Sequence, residues 1–201
     1  MTTHPYAQLA DRAERLALVA LLGFLAYRLV PHVADKPANL AYLVSETIVI
    51  LMIAFRRSAQ AISHRSADWV IGFAGTFLPL MVVRSSGAGA AYASVLLLLG
   101  FAIAVSAQLS LFRSFGVVAA NRGVRTGGLY GVVRHPMYLG YFLTHIGFLL
   151  LNPVPWNAGV YAIWAVCQLY RMHAEERVLS ADTAYVAFAH RVPYRLLPFV
   201  Y

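Results

Sequence analysis

Residues 136–170 read PMYLGYFLTHIGFLLLNPVPWNAGVYAIWAVCQLY. Two apolar runs, Pro136–Leu151 and Val154–Tyr170, meet at Asn152-Pro153-Val154-Pro155. Two prolines in four residues leave room only for a tight reversal, so the pair reads as a helical hairpin. A helix that crosses hydrocarbon needs about 20 mostly apolar residues. Four more segments approach that length: Leu16–Val33, Ala38–Phe55, Trp69–Val83 and Ala90–Phe112. Pro79 predicts a kink in the third. The expected fold is all-α, a polytopic transmembrane helical bundle of about six spans, five being the alternative. The stretch from Tyr185 to Phe199 is too polar to span. It reads as a surface helix followed by an extended tail bounded by Pro193 and Pro198.

Composition agrees. Of 201 residues, 60% are apolar and 12% charged, and the mean hydropathy is +0.65. Soluble domains carry about 25% charged residues. The 11 Phe, 12 Tyr and 3 Trp exclude a disordered chain. Cys167 stands alone, which excludes a disulfide framework and a cysteine-rich metal site. The net charge of +8 contains no block of five basic residues, so it reads as a cytoplasmic membrane face and not as a nucleic-acid footprint. With six spans, one side holds both termini and every basic residue except Arg28, Lys36 and Arg84. The positive-inside rule places that side in the cytoplasm, and a bacterial inner membrane is the expected location. The first 15 residues carry His4, Asp11, Arg12, Glu14 and Arg15, and no small-residue cleavage site follows, so no signal peptide is expected. Residues 1–110 read as generic membrane helices that can serve the acceptor side. From residue 111 to 201 the chain is rich in Gly, Arg, His, Tyr and Pro, and the chemistry is expected there.

The loop Arg113–His135 carries Gly116, Gly123, Gly127, Gly128 and Gly131. Such glycines let backbone approach a ligand, or simply make a flexible connector. They do not form a dinucleotide fingerprint. The loop ends in Arg134-His135-Pro136-Met137-Tyr138-Leu139-Gly140. Pro136 suits the first helical position, His135 falls near the N-cap, and the N–H groups of that helix end attract anions. An interfacial Arg and Tyr anchor is the plainer alternative. Gly140 and Gly147 share a face, so a helix or a ligand can approach it closely. The last apolar run continues into Arg171, His173, Glu175, Glu176 and Arg177. Arg171 and Glu175 are spaced for an ion pair worth about 0.3–0.5 kcal/mol, whereas Glu176 points about 100° away. The hairpin returns these residues to the neighbourhood of Arg134 and His135. Glu46 is an intramembrane acid, read either as a site or as a polar helix contact. His145 reads as a bundle histidine. His173, Glu175 and Glu176 lack the His or Cys partners of a metal site.

Arg134-His135-Pro136-Met137-Tyr138-Leu139-Gly140, Asn152-Pro153, Arg171 with Glu175-Glu176, Tyr185 with Phe188, and Arg191-Val192-Pro193 to Leu197-Pro198 together resemble the integral-membrane isoprenylcysteine carboxyl methyltransferases. Phospholipid N-methyltransferases share part of this set. The resemblance covers about residues 111–199, with Phe188 standing where a tyrosine is common. It implies S-adenosyl-L-methionine as methyl donor and S-adenosylhomocysteine as product, bound at the cytoplasmic end of the last two spans. By that resemblance Tyr130, Arg134, His135, Pro136, Tyr138, Gly140, Glu175 and Glu176 line the donor pocket. Arg171, Glu175, Glu176 and His135 are the catalytic candidates, and Arg191 and Glu46 are candidates for acceptor binding. The implied partners are the bilayer and a lipophilic methyl acceptor. Other membrane enzymes compete with this reading: a sterol-type reductase with a nicotinamide cofactor, or an NnrU-like haem isomerase with His145 or His135 as axial ligand. A non-enzymatic membrane module is the third alternative.

Overall fold

The computed structural model describes residues 5–29, 51–85 and 91–200. Helix α1 runs Pro5–Leu29, and residues 51–54 are also helical. Then follow strand β1 (Ala61–Ile62), α2 (Ser66–Phe77), α3 (Ala91–Leu111), β2 (Ala120–Asn121), α4 (Pro136–Leu151), α5 (Pro155–Leu179) and α6 (Thr183–Arg191). Most of the expected span Ala38–Phe55, with Glu46, lies outside the described residues.

The hairpin forms as its sequence dictates. Pro136 and Pro155 each open a helix where a missing N–H costs nothing. Asn152 caps α4, its backbone N–H donating to Phe148 O at 2.9 Å. Its side-chain oxygen accepts from Ser85 N at 2.8 Å, and Asn157 exchanges bonds with both backbone groups of Val83. The segment around Arg84 is thereby fixed at the hairpin end of the molecule.

The expected kink at Pro79 is instead a stop. Helix α2 ends at Phe77 and tightens into a 3-10 turn, Leu78–Met81. Pro79 has no N–H to give the carbonyl of Gly75, four residues back. Trp164 Nε1 and Gln168 Nε2 of α5 donate to that oxygen at 3.1 and 2.7 Å. One proline thus both ends α2 and leaves free the Gly75 carbonyl that docks α5 onto it.

Helices α3 and α4 pack closely because they meet at glycine. A Cβ on Gly147 would lie 2.6 Å from Leu97 N, and one on Gly100 would lie 2.7 Å from Leu143 Cβ. A Cβ on Gly140 would run into the backbone of Ala104. The outer side of α3 is apolar and exposed, with Val95 at 67% and Leu98 at 63%.

The opposite end is held by charge. Helix α1 begins well before the expected Leu16, so Asp11 and Glu14 lie inside it, three residues apart and on one face. Each pairs with both Arg56 and Arg122 at 2.7–2.9 Å. All four side chains are buried. Glu14 Oε1 also accepts from Val117 N and Val118 N, each at 2.9 Å. Burial, then the neighbouring Arg122, lowers the pKa of the Arg56 guanidinium despite the two acids. Beside this cluster, β1 and β2 pair antiparallel, Ala61 opposite Asn121.

Among the described residues one stretch, Tyr92–Ser114, is long and apolar enough to cross a membrane, and Pro136–Leu151 is a shorter apolar helix. The described helices therefore do not by themselves make the six-span bundle that apolarity suggested. Helix α1 carries four charges in its first half, and α2 is only 12 residues long.

Removing one partner from a buried ion cluster strands the others. Glu14→Gln is expected to lower stability by about 3–5 kcal/mol. The shift of the unfolding midpoint of the purified protein measures it.

Candidate active site

A cavity of about 730 Å³, part of it open to solvent, lies at the charged end. Its walls are the segment from Leu111 to Arg125, the 3-10 turn Gly128–Gly131, the start of α4, the end of α5, and α6.

Glu176 organises the rim. Its Oε1 lies 3.0 Å from an Arg134 nitrogen and 3.1 Å from His135 Nε2, and its Oε2 accepts from Arg195 Nε at 2.9 Å. The tail reinforces this junction. Arg134 N donates to Tyr194 O and His135 N to Arg195 O, both at 2.9 Å. Burial pushes the Glu176 carboxyl up, but hydrogen bonds from His135 and Arg195 and the charges of His135 and Arg134 outweigh it and bring the carboxyl down to about 2.

Glu175 is in different surroundings. It accepts from the hydroxyl of Tyr138, and its second oxygen has no hydrogen-bond partner among the described residues. The expected intrahelical pair with Arg171 does not form. Arg171 is buried, donates to Gln168 Oε1 at 3.0 Å and to Val117 O at 3.3 Å, and sits 5.7 Å over the Tyr138 ring. The Tyr138 ring takes the guanidinium while its hydroxyl takes the carboxylate, so the aromatic side chain replaces the pair. Burial, then Glu175, pushes the Tyr130 phenol well up. Burial also raises Tyr185, followed by the charge of Glu176. Both phenols are therefore neutral donors at neutral pH.

Tyr130, Arg134, His135, Tyr138 and Glu175 meet at the cavity, although the chain separates Glu175 from Tyr130 by 45 residues (175 − 130). Glu176 lies behind His135. Pro136 is buried as the first residue of α4 and is not in the cavity wall. Gly140 faces α3, where it permits helix packing. Arg191 is exposed on α6, away from the cavity. Glu46 falls outside the described residues. His145 packs between the rings of Tyr161 and Trp164, at 4.9 and 4.3 Å, also away from it. Sequence reasoning overlooked Arg122 and Arg125 as wall residues, because their loop offers glycines but no periodic pattern. No group of His, Cys, Asp or Glu among the described residues is arranged to hold a metal ion.

An open carboxylate oxygen, neutral phenols, aromatic faces and guanidinium groups suit a ligand carrying both a positive and a negative charge. Residues 88–182, a little under half of the chain, match the family model of phospholipid methyltransferase. The matched region contains α3, the glycine loop, α4 and all of α5, and so most of the cavity wall. The match supports a membrane methyltransferase family. No curated protein sequence matches the chain.

The lowered Glu176 pKa fixes the sign of a pH effect. An unfolded glutamate titrates near 4.3. The stabilisation from Glu176 is complete above that range and is lost as pH falls toward about 2. On the order of 2–3 kcal/mol is at stake. The stability gap between wild type and Glu176→Gln should be widest above pH 5 and narrow toward pH 2. Chemical denaturation across that range tests this, and a gap independent of pH would refute it.

Proposed function

We propose that the chain is an integral-membrane methyltransferase that uses S-adenosyl-L-methionine and methylates a lipophilic acceptor drawn from the bilayer. We further infer that it works in the manner of the isoprenylcysteine carboxyl methyltransferases, with a multi-pass topology, both termini and the site in the cytoplasm of a bacterium. The observation that carries this reading is the juxtaposition of Glu175, Tyr138 and Tyr130 in one cavity, within a segment that matches a methyltransferase family model.

When bound, the donor supplies a methyl group on a positively charged sulfur. The chain's own groups suit that charge. The faces of Tyr130 and Tyr138 attract a cation, and Glu175 supplies a formal negative charge beside them. The enzyme's main task is to align donor and acceptor, which can supply about 7–11 kcal/mol of the barrier. Glu176 and His135 act on the frame: the carboxylate fixes the imidazole and ties the tail across the start of α4. Arg171, locked beneath Tyr138, holds that ring in place. An acceptor carboxylate would need no base. An amine or thiol acceptor would need one, and Glu175 is the carboxylate with an oxygen to accept the proton. The exposed apolar side of α3 is the face suited to lipid.

Titration calorimetry of detergent-purified protein tests the reading with two probes, S-adenosylhomocysteine and its cationic analogue sinefungin. Saturable binding of both is expected. Glu175→Gln should weaken sinefungin by about tenfold or more, and S-adenosylhomocysteine less, because a charged hydrogen bond is worth about 1.5–3 kcal/mol. Failure of a folded sample to bind either probe at millimolar concentration would overturn the proposal.

A further inference from the structure

Five ionisable side chains other than tyrosine line the cavity: Arg122, Arg125, Arg134, His135 and Glu175. Three are engaged by other protein charges. Arg122 is held by Asp11 and Glu14, and Arg134 and His135 by Glu176. Glu175 gives one oxygen to Tyr138. Arg125 differs from all of these. Among the described residues it has no ion-pair or hydrogen-bond partner, and its Nε is buried without an acceptor. The Nε of Arg134 and the hydroxyl of Tyr185 in the same wall are also buried without a partner, so unsatisfied polar atoms gather at the cavity. Arg125 is the cation among them with no protein partner among the described residues. The backbone around it is set by two glycines with positive φ, Gly123 at 96° and Gly128 at 61°. Larger residues rarely adopt those angles, so the short segment that carries Arg125 has a defined course along the cavity.

We propose that Arg125 is the anion anchor of the donor site and holds the carboxylate of the donor's amino-acid arm. The proposal rests on the methyl-donor reading above. It moves the anchor away from Arg134, the nearest candidate in sequence, because the Arg134 guanidinium is already neutralised by Glu176 at 3.0 Å. A guanidinium presents N–H groups in a planar fork that matches a carboxylate. With Glu175 also at the wall, the cavity offers one cation and one anion to a ligand that carries both charges.

The test compares S-adenosylhomocysteine with 5′-methylthioadenosine, which keeps the nucleoside and the sulfur but lacks the amino-acid arm. Calorimetry on the full chain measures both against wild type, Arg125→Ala and Arg125→Lys. Arg125→Ala should weaken S-adenosylhomocysteine by about tenfold to a hundredfold, leave 5′-methylthioadenosine unchanged, and be partly rescued by Arg125→Lys. Arg125 has no protein partner among the described residues, so helical circular dichroism should not change with either variant. Equal weakening of both probes would mean a deformed pocket and would overturn the assignment. No weakening of either would also overturn it, and would leave an anionic group of the acceptor as the ligand of Arg125. If wild type binds neither probe, the donor reading itself fails. If wild type binds both probes equally, the donor reading stands and the carboxylate anchor falls.

Discussion

The Glu176 carboxylate ties three segments together by charge. Arg134 and His135 come from the loop before α4, Arg195 comes from the tail, and Glu176 itself sits near the end of α5. A carboxylate with partners on both oxygens tolerates burial, because charge-assisted hydrogen bonds replace its hydration. Without it, Arg134 and His135 would be left as partly buried cations or donors, and the tail would lose its charged hold on α5. The two backbone bonds from residues 134 and 135 to the tail, and the Arg134 side-chain bond to Pro193 O, would then hold the tail without it. Two members of this junction, Arg134 and His135, form part of the cavity wall.

The other side depends on chain that lies before the family match. Asp11 and Glu14 precede residue 88, yet both hold Arg122, and Glu14 also holds the backbone of Val117 and Val118. The first carboxylate pair thus shapes the loop wall as Glu176 shapes the rim. Both are acid–arginine clusters at the same end of the molecule, and both leave the cavity between them. That division explains how Glu175 keeps an oxygen for other partners. The neighbouring arginines are paired with Asp11, Glu14 and Glu176, and Arg171 is held by a glutamine, a carbonyl and an aromatic face.

Punctuation residues made the hairpin legible. Pro136, Asn152 and Pro155 mark helix ends through local rules, so α4 runs over the residues expected from the sequence. The meeting of His135 with Glu176 was legible too, since a tight hairpin must return α5 to the start of α4. Three features were not. Helix α1 was read too short because charges interrupt an apolar window, and only tertiary structure shows that Arg56 and Arg122 neutralise them. The stop at Pro79 depends on Trp164 and Gln168, which lie far along the chain. The Arg171–Glu175 spacing promised an ion pair, but spacing within one helix cannot reveal that Tyr138 of another helix inserts between them. Gly140 shows the same limit: a glycine in a motif looks like a ligand contact until the helix packed on it is known.

Helix lengths bear on how a water-borne donor and a lipophilic acceptor could share one cavity. At 1.5 Å per residue, the 16 residues of α4 rise about 24 Å, less than the roughly 30 Å of a hydrocarbon core. Helix α3 beside it has 21 residues, and α5 has 25. On the proposed topology, with the hairpin turn near one surface, the start of α4 falls short of the opposite surface while α3 and α5 reach it. Pro136 would then lie within the membrane boundary, and the charged rim at His135 and Glu176 would be recessed there. A recess of that kind must carry its own counter-charges, because neither water nor lipid headgroups can fully supply them. The arginines and acids at this end meet that requirement almost completely. In the cavity wall the protein leaves Arg125, one oxygen of Glu175, the Nε of Arg134 and the hydroxyl of Tyr185 for something else to satisfy.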